Sequence, residues 1–271
     1  MSPAIVFSHA NGFPAGTYRL LFEAWRAAGY RVHAVEKFGH DARFPVTSNW
    51  PHLRDQLLHC IEWEAHGPVY LVGHSMGGYL SVLAASRRPE LVRGVVLLDA
   101  PILGGLVAQM VRLGKVTGAV ERYSPGSVSV RRRQHWADAE AAYAHFAAKP
   151  AFARWAPGVL SDYIACGVQA ATQGTGQGLA FRREVETTIY NTVPHHMSAL
   201  LRRHPLRCPM AFVGGTHSVE NRRVGLRTTE RLTHGRMSWL EGSHLFPFEQ
   251  PAATAAQVLH WLEVFSASAQ S

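Results

Sequence analysis

Short runs of apolar residues recur through the first hundred residues, and the segments between them carry apolar residues at helical spacing. A strand covered on both faces is apolar at nearly every position, whereas a surface helix repeats its apolar residues three and four apart. The runs therefore predict strands of a parallel sheet, and the segments between them predict helices on its two faces. The predicted strands are residues 4–8, 30–35, 68–73 and 92–98, and the predicted helices are residues 18–28, 49–67 and 77–88.

This alternation stops after residue 100 and resumes near residue 208. Residues 209–214 and 237–240 predict a fifth and a sixth strand, and residues 251–265 predict a final amphipathic helix. The segment between the fourth and fifth strands has helical stretches and Gly- and Pro-rich joints, among them residues 174–178, but no convincing strand. It therefore predicts an insertion that is helical and does not extend the sheet.

We predict an α/β fold with about six parallel strands flanked by helices. Residues 1–100 and 208–271 form the predicted core, and residues 101–207 form a predicted helical cap inserted between strands. Open parallel sheets bind their ligands at the carboxyl edge of the strands. An insertion of this size after the fourth strand is therefore expected to cover that edge.

Composition limits the function classes. The chain has 271 residues, of which 47% are hydrophobic and 17% charged, and this excludes a disordered chain. The formal net charge is +8, but residues 100–207 hold 13 Lys and Arg against 6 Asp and Glu, while the rest of the chain is nearly balanced. This segment is either a solvated arginine-rich surface or a face that meets an anionic substrate or a membrane surface. We expect no nucleic-acid partner, and a peripheral contact with membrane lipid remains an open expectation.

The cysteines and apolar runs bear on location. Cys60, Cys166 and Cys208 are odd in number and far apart, so they predict neither a disulfide framework nor a metal site. No apolar run approaches the roughly 18–20 residues that span a bilayer, and no signal peptide is recognisable. We expect a cytoplasmic protein, and the sequence leaves its oligomeric state open.

The strongest chemical signal is the segment Gly73-His74-Ser75-Met76-Gly77, which fits the pattern G-x-S-x-G. An apolar strand precedes it and a helix follows it, which is the context that this pattern requires. A sharp strand-to-helix turn exposes the serine hydroxyl, and the flanking glycines avoid clashes at the turn. Ser75 is therefore the predicted nucleophile, and the amide of Met76 is a predicted donor to the oxyanion.

With these residues the chain resembles the α/β-hydrolase family, whose nucleophile elbow has the same form. The resemblance covers roughly residues 4–100 and 207–262, with the middle segment as the variable cap. The family usually has eight strands, so this chain is expected to lack two edge strands that lie away from the site. The family also implies the chain order nucleophile, acid, histidine.

The resemblance also implies a second oxyanion donor from the loop after the first strand, which reads Ser8-His9-Ala10-Asn11-Gly12. Ala10 stands where the family usually has glycine, so the identity of the donating amide stays open. We predict the amide of Asn11, with that of Ala10 as the alternative. His9 is expected to brace this loop.

The general base must be one of sixteen histidines, so position decides. His244 follows the last predicted strand and precedes the last helix, which places it at the carboxyl edge near Ser75. We therefore predict His244 as the base. No H-E-x-x-H motif occurs, and we predict no metal site.

The acid is where the chain departs from the family. The usual aspartate follows the next-to-last strand, but here Ser218 stands at about that position, and no aspartate follows Asp162. Asp99 ends the fourth strand, and some family members place the acid there. We predict Asp99 as the acid, with Glu220 as the alternative.

A serine nucleophile predicts acyl transfer. The leading hypothesis is a serine hydrolase that cleaves a carboxylic ester with a hydrophobic or anionic acyl group through an acyl-enzyme. An acyl thioesterase of the same fold and a non-catalytic binding protein remain as alternatives. No nucleotide-binding glycine motif is present, and we predict no cofactor.

Overall fold

The chain is built around a six-stranded parallel sheet. The computed structural model describes residues 2–171 and 174–268. The strands of this sheet are β1 (Ala4–Ser8), β2 (Arg31–Ala34), β3 (Val69–His74), β4 (Val92–Leu98), β8 (Met210–Gly215) and β9 (Met237–Leu240), and β5 to β7 lie in the insertion described below. Their order across the sheet is β2-β1-β3-β4-β8-β9. The predicted α/β fold with six parallel strands is confirmed, and each strand lies within two residues of its predicted position.

Burial along the strands explains why the apolar runs are continuous. Every residue of β1 and β3 is buried, because each of these strands has a neighbour on both sides and helices above and below. The edge strands β2 and β9 have no fully buried residue. Alternate residues serve opposite faces, as Val6 packs in one core and Phe7 in the other.

Two helical layers enclose the sheet. The α-helices outside the insertion are α1 (Arg19–Ala27), α2 (Pro51–Cys60), α3 (Met76–Arg87), α11 (Val219–Val224), α12 (Arg227–Thr233), α13 (Phe246–Glu249) and α14 (Pro251–Ser268). One core packs α2 and α3 against the sheet through residues such as Leu57 and Leu80, and the other packs α1 and α14 through Trp25 and Leu262. In the described residues no helix is both long and apolar enough to cross a bilayer.

The insertion between β4 and β8 is mainly helical, with α4 (Gly105–Thr117), α5 (Val120–Tyr123), α6 (Gly126–Ser129), α7 (Ala139–Ala147), α8 (Val159–Gly167), α9 (Arg183–Asn191) and α10 (Met197–Arg203). It also contains strands, which the sequence did not predict: β5 (His135–Trp136), β6 (Val168–Ala170) and β7 (Gln177–Leu179) form a small antiparallel sheet. Strands of two or three residues are too short to show a period-two pattern.

One predicted joint of the insertion is partly strand. Gln177 and Gly178 belong to β7, so the last residues of the glycine-rich segment at 174–178 are paired with neighbouring strands. Residues 172 and 173 lie outside the described part of the chain. That residues 101–207 form a separate cap domain, with a core at 1–100 and 208–271, stays a prediction.

Aromatic side chains join the insertion to the sheet layer. Phe13 and Phe248 belong to the sheet layer, and their rings lie within 6 Å of rings from the insertion, such as Trp155 and Tyr163. Such ring contacts exclude water and hold the two parts together. The insertion is therefore packed on the sheet layer through a shared aromatic core.

A glycine in β4 allows close packing of α14 on the sheet. A Cβ atom on Gly94 would lie 2.5 Å from Cδ2 of Phe265, whose side chain is 2% exposed. The ring is enclosed and has no room to withdraw, so the absence of a side chain at Gly94 sets the distance between helix and sheet.

We expect Gly94→Ala to lower the free energy of unfolding by about 1–3 kcal/mol, the usual cost of overpacking a core. Gly114→Ala is the matched control, because its nearest neighbour outside the helix backbone would lie 3.5 Å from the new Cβ and its helix α4 favours alanine. It should leave stability unchanged or raise it by up to about 1 kcal/mol. Urea unfolding of both variants checks this, and equal stability of Gly94→Ala and the parent would contradict it.

Candidate active site

Ser75 occupies a strained turn between β3 and α3. Its φ is 53° and its ψ is −114°, a combination that an L-residue adopts only under constraint. The constraint comes from backbone hydrogen bonds: the amide of Ser75 donates to the carbonyl of Leu98 at 2.9 Å, and the amide of Gly78 donates to the carbonyl of Ser75 at 3.0 Å. The turn places the Ser75 side chain at the amino end of α3.

The two flanking glycines are required by close approach of backbone. A Cβ on Gly73 would lie 2.3 Å from the carbonyl carbon of Gly77, and a Cβ on Gly77 would lie 1.9 Å from the carbonyl oxygen of Ser8. No side-chain movement relieves such contacts, because the obstructing atoms are main chain. The G-x-S-x-G pattern is therefore explained by the crossing of β1 and α3 beneath Ser75.

His244 links Ser75 to Asp99. Nε2 of His244 lies 3.0 Å from Oγ of Ser75, and Nδ1 lies 2.7 Å from Oδ2 of Asp99. A carboxylate only accepts, so Nδ1 carries the proton and Nε2 is free to accept from the Ser75 hydroxyl. The three side chains come from the loops after β3, β4 and β9, and they meet at the carboxyl edge of the sheet.

The carboxylate of Asp99 is fully buried and held by four donors. Oδ1 accepts from the amide of Gly215 and from Nδ2 of Asn221, each at 2.8 Å, and Oδ2 accepts from Oγ of Ser218 at 2.5 Å and from His244. Burial alone would raise the pKa of Asp99, but the hydrogen bond and charge of His244, together with Ser218 and Gly215, lower it below its usual value. Asp99 is therefore ionised at neutral pH.

Glu220 lies farther from the base than Asp99 does. Its Oε2 atom is 3.8 Å from Nδ1 of His244, and its side chain is 43% exposed. Ser218, at the position where the sequence comparison with the family placed the usual acid, donates its hydroxyl to Asp99 instead. The geometry thus places Asp99, and not Glu220, in hydrogen-bond contact with His244.

The environment of His244 favours its protonated form. Burial by itself lowers the pKa of His244, but the hydrogen bond and charge of Asp99, with the charge of Glu220, outweigh it and raise the pKa above the ordinary value. A base of this kind accepts a proton from a hydroxyl more readily than free imidazole does.

Asp99, Glu220 and His244 also form the one group of three or more potential metal ligands, in the described chain, whose ligand atoms all lie within 4.8 Å of one another. The four lone-pair positions of the Asp99 carboxylate are already taken by protein donors. Nδ1 of His244 is used as a donor to the same carboxylate. This donor set fits an acid–base pair and leaves Asp99 no electron pair for a cation.

Two of the three predicted oxyanion donors have no hydrogen-bond partner among the described residues. Met76 is the first residue of α3, so its amide has no partner within the helix, and the structure gives neither it nor the amide of Asn11 a hydrogen bond to any described residue. Asn11 and Met76 line the same pocket as Ser75. The amide of Ala10, the predicted alternative, donates to the hydroxyl of Tyr18 at 3.1 Å and is therefore already occupied.

The sequence reasoning missed a chain of hydrogen bonds behind the site. Nε2 of His74 donates to the carbonyl oxygen of His244 at 2.8 Å, and the Tyr18 hydroxyl donates to Nδ1 of His74 at 2.8 Å and accepts from the amide of Ala10. These directions follow because burial and the nearby His244 lower the pKa of His74 to about 3, so the ring is neutral with one donor and one acceptor. The chain ties together the three loops that carry Asn11, Ser75 and His244.

His9 braces the loop after β1, as its position suggested. Its Nε2 accepts from the amide of Phe38 at 3.0 Å, so Nδ1 donates to the carbonyl of Ala10 at 2.8 Å. Burial lowers the pKa of His9 to about 4, which keeps the ring neutral in this arrangement.

The insertion supports the same loop from the other side. Nδ2 of Asn11 donates to the carbonyl of Glu186 in α9 at 2.9 Å. The side chain of Glu186 forms an ion pair with Arg132 at 3.0 Å, and both side chains are nearly buried. A Cβ on Gly12 would lie 2.9 Å from the Glu186 carboxylate, so this ion pair packs directly on the loop.

A pocket of about 160 Å³ opens beside Ser75 and His244. Its wall is largely apolar and combines residues of the sheet layer with residues of the insertion. The apolar and aromatic side chains that line it include Trp50, Tyr79, Leu103, Ile189, Tyr190, Val193 and Val224. No sequence motif marks these residues, because they are distant along the chain and adjacent only after folding.

Curated relatives match part of the chain. Monoglyceride lipase from Rattus norvegicus is 34% identical over 108 residues, which cover 37% of this chain and 36% of that protein. A monoglyceride lipase homolog from Monkeypox virus is 29% identical over 141 residues, which cover 46% of this chain and 51% of the viral protein. The matched segments thus span about a third to a half of the length of these relatives.

Solved structures match nearly the whole chain in fold. A thioesterase domain from the curacin biosynthetic pathway has a TM-score of 0.73 at 21% identity, covering 95% of this chain and 91% of that chain. An E-2-(acetamidomethylene)succinate hydrolase has a TM-score of 0.70 at 21% identity, covering 97% and 92%. The model of the alpha/beta hydrolase family matches residues 5–257. The chain therefore belongs to the alpha/beta hydrolase family.

Proposed function

We propose that this protein is a serine hydrolase that cleaves carboxylic esters through an acyl-enzyme. The observation that carries the proposal is the hydrogen-bonded series Asp99–His244–Ser75 at the edge of an apolar pocket. The names of the curated relatives, a monoglyceride lipase and a monoglyceride lipase homolog, support a lipase-like hydrolase.

In the acylation step, Nε2 of His244 takes the proton of the Ser75 hydroxyl as Oγ attacks the ester carbonyl carbon. The carbonyl oxygen becomes an oxyanion, which the amides of Met76 and Asn11 stabilise, together with the amino end of α3. The protonated His244 then gives its proton to the alcohol oxygen, and the carbon–oxygen bond breaks. Asp99 keeps Nδ1 protonated and stabilises the imidazolium that forms.

In the deacylation step, His244 takes a proton from a water molecule, and the resulting hydroxide attacks the acyl carbon. A second oxyanion forms and collapses, Ser75 leaves as the alkoxide, and His244 returns the proton to it. The products are a carboxylic acid and the free enzyme. The apolar wall of the pocket favours a substrate with a hydrophobic part near the carbonyl.

The nucleophile is tested by Ser75→Ala on a series of para-nitrophenyl esters of increasing acyl length. Removing a serine nucleophile from an assembled triad lowers kcat by on the order of 10⁶-fold, so hydrolysis should fall to background. The acyl length at which kcat/KM is highest then gives the length of acyl chain that the pocket accommodates. Equal activity of the two proteins would reject Ser75 as the nucleophile, and comparison of oxygen and sulfur esters of one acyl chain separates an esterase from a thioesterase.

The two candidate acids are separated by Asp99→Asn and Glu220→Gln. Asp99→Asn should lower kcat by roughly 10⁴-fold, because the neutral amide no longer selects the correct tautomer of His244. Glu220→Gln should lower it by at most about five-fold, since interactions with partly exposed charges are worth about 0–1 kcal/mol. The reverse order of effects would assign the acid to Glu220.

The pH profile tests His244 as the base. Only neutral His244 accepts the Ser75 proton, so kcat/KM should be lost as pH falls through the pKa of His244. That pKa is raised above the ordinary histidine value, and the acid limb should lie correspondingly higher. Because Asp99 is a cause of the rise, the limb of the residual activity of Asp99→Asn should move to lower pH. An acid limb at the same pH in both proteins would contradict this assignment.

A further inference from the structure

A second, larger pocket adjoins the one beside Ser75. It has a volume of about 730 Å³ and is lined mainly by the insertion. Tyr190 and Glu220 line both pockets, so the two are neighbours that share a wall. A substrate bound with its carbonyl at Ser75 therefore has this pocket within reach of one of its ends.

The lining of this second pocket is strongly cationic. Five guanidinium or ammonium groups face two carboxylates, those of Glu186 and Glu220. The cations are Arg131, Arg132, Arg133, Lys149 and Arg223. They come from three separate parts of the chain and converge only in the folded protein.

The positive charge of the pocket is largely uncompensated. Arg132 is neutralised by its ion pair with Glu186. In residues 2–171 and 174–268, the other four cations, Arg131, Arg133, Lys149 and Arg223, form no ion pair with a carboxylate. Burial, followed by the charge of Arg132, lowers the pKa of Lys149.

Aromatic rings accompany the cations. Phe13, Phe146 and Phe152 line the same pocket, and Nζ of Lys149 lies 4.9 Å from the centre of the Phe146 ring. The pocket thus offers an apolar surface and several donors with positive charge. A ligand that matches both has a hydrocarbon part and an anionic group.

We propose that this cationic pocket binds the anionic group, a carboxylate or a phosphate, of an amphiphilic ester whose carbonyl lies at Ser75. This inference rests on the proposed ester hydrolysis and names its substrate class. Arg131 and Arg223 are the principal binding residues, because they line the pocket and their guanidinium groups have no partner among the described residues. Arg133 and Lys149 also lack a carboxylate partner, but Arg133 donates to the carbonyl of His135 and Lys149 lies over the ring of Phe146. Arg132 already forms an ion pair with Glu186, which packs on the loop after β1.

The test compares three chromogenic esters of matched length. They are para-nitrophenyl octanoate, which is neutral, the mono-para-nitrophenyl ester of suberic acid, which carries a carboxylate at the acyl end, and the octanoyl ester of a sulfonated nitrophenol, which carries its anion on the alcohol. At least one anionic ester should have the higher kcat/KM at low salt. The preference should weaken as ionic strength rises.

Arg131→Gln and Arg223→Gln should each lower the ratio of kcat/KM for the anionic ester to that for the neutral ester by roughly ten-fold, the worth of a charge-assisted hydrogen bond. Arg93→Gln is the control, because it removes the same charge from an exposed position at the amino end of β4, away from both pockets. This variant should leave the ratio at the parent value.

The outcomes separate the two proposals. Ser75-dependent hydrolysis of all three esters without an anionic preference, or with a preference that both arginine variants keep, overturns the anion pocket and leaves the ester hydrolase intact. If no ester is cleaved, the proposed hydrolase activity fails. Calorimetry of Ser75→Ala with octyl phosphate and octanol then decides: tighter phosphate binding that Arg131→Gln weakens supports the pocket, and equal binding rejects it.

Discussion

The buried carboxylate of Asp99 is the constraint on which the candidate site depends. A carboxylate that is buried away from water is stable inside a protein only when hydrogen-bond donors satisfy its lone pairs. Here those donors belong to the segment from the end of β8 to the first turn of α11 and to His244, so the charge holds together two loops that are more than a hundred residues away along the chain. Ser218 and Asn221 hold the carboxylate in place, and His244 takes its orientation from it.

A second set of hydrogen bonds works with neutral groups. The rings of His9 and His74 are fully buried, and burial keeps both uncharged. Each neutral ring accepts a hydrogen bond at one nitrogen and donates one at the other, and so links two segments of the chain. Tyr18 occupies the amide of Ala10, whereas the amide of Asn11, a residue that lines the pocket, has no hydrogen-bond partner among the described residues.

The insertion contributes residues to the candidate site. Its α9 helix supplies the carbonyl that orients Asn11 and the apolar residue Ile189 of the pocket wall. The Arg132–Glu186 ion pair packs against the loop after β1, and the other cations line the neighbouring pocket. The excess positive charge of the middle segment is thus partly structural and partly displayed towards a pocket that adjoins Ser75.

The sequence by itself determined the sheet, the turn at Ser75 and the position of His244 after the last strand. Strands buried on both faces must be apolar, and the turn at Ser75 tolerates only glycine at its flanks, so a run of contiguous residues predicts each feature. Four features depended on the tertiary structure: the hydrogen bond of His244 to Asp99 rather than to Glu220, the hydrogen bond that occupies the amide of Ala10, the two- and three-residue strands of the insertion, and the cationic pocket. Each of these features depends on distances of a few ångströms between residues that are far apart in the sequence, and the local sequence pattern does not determine such distances.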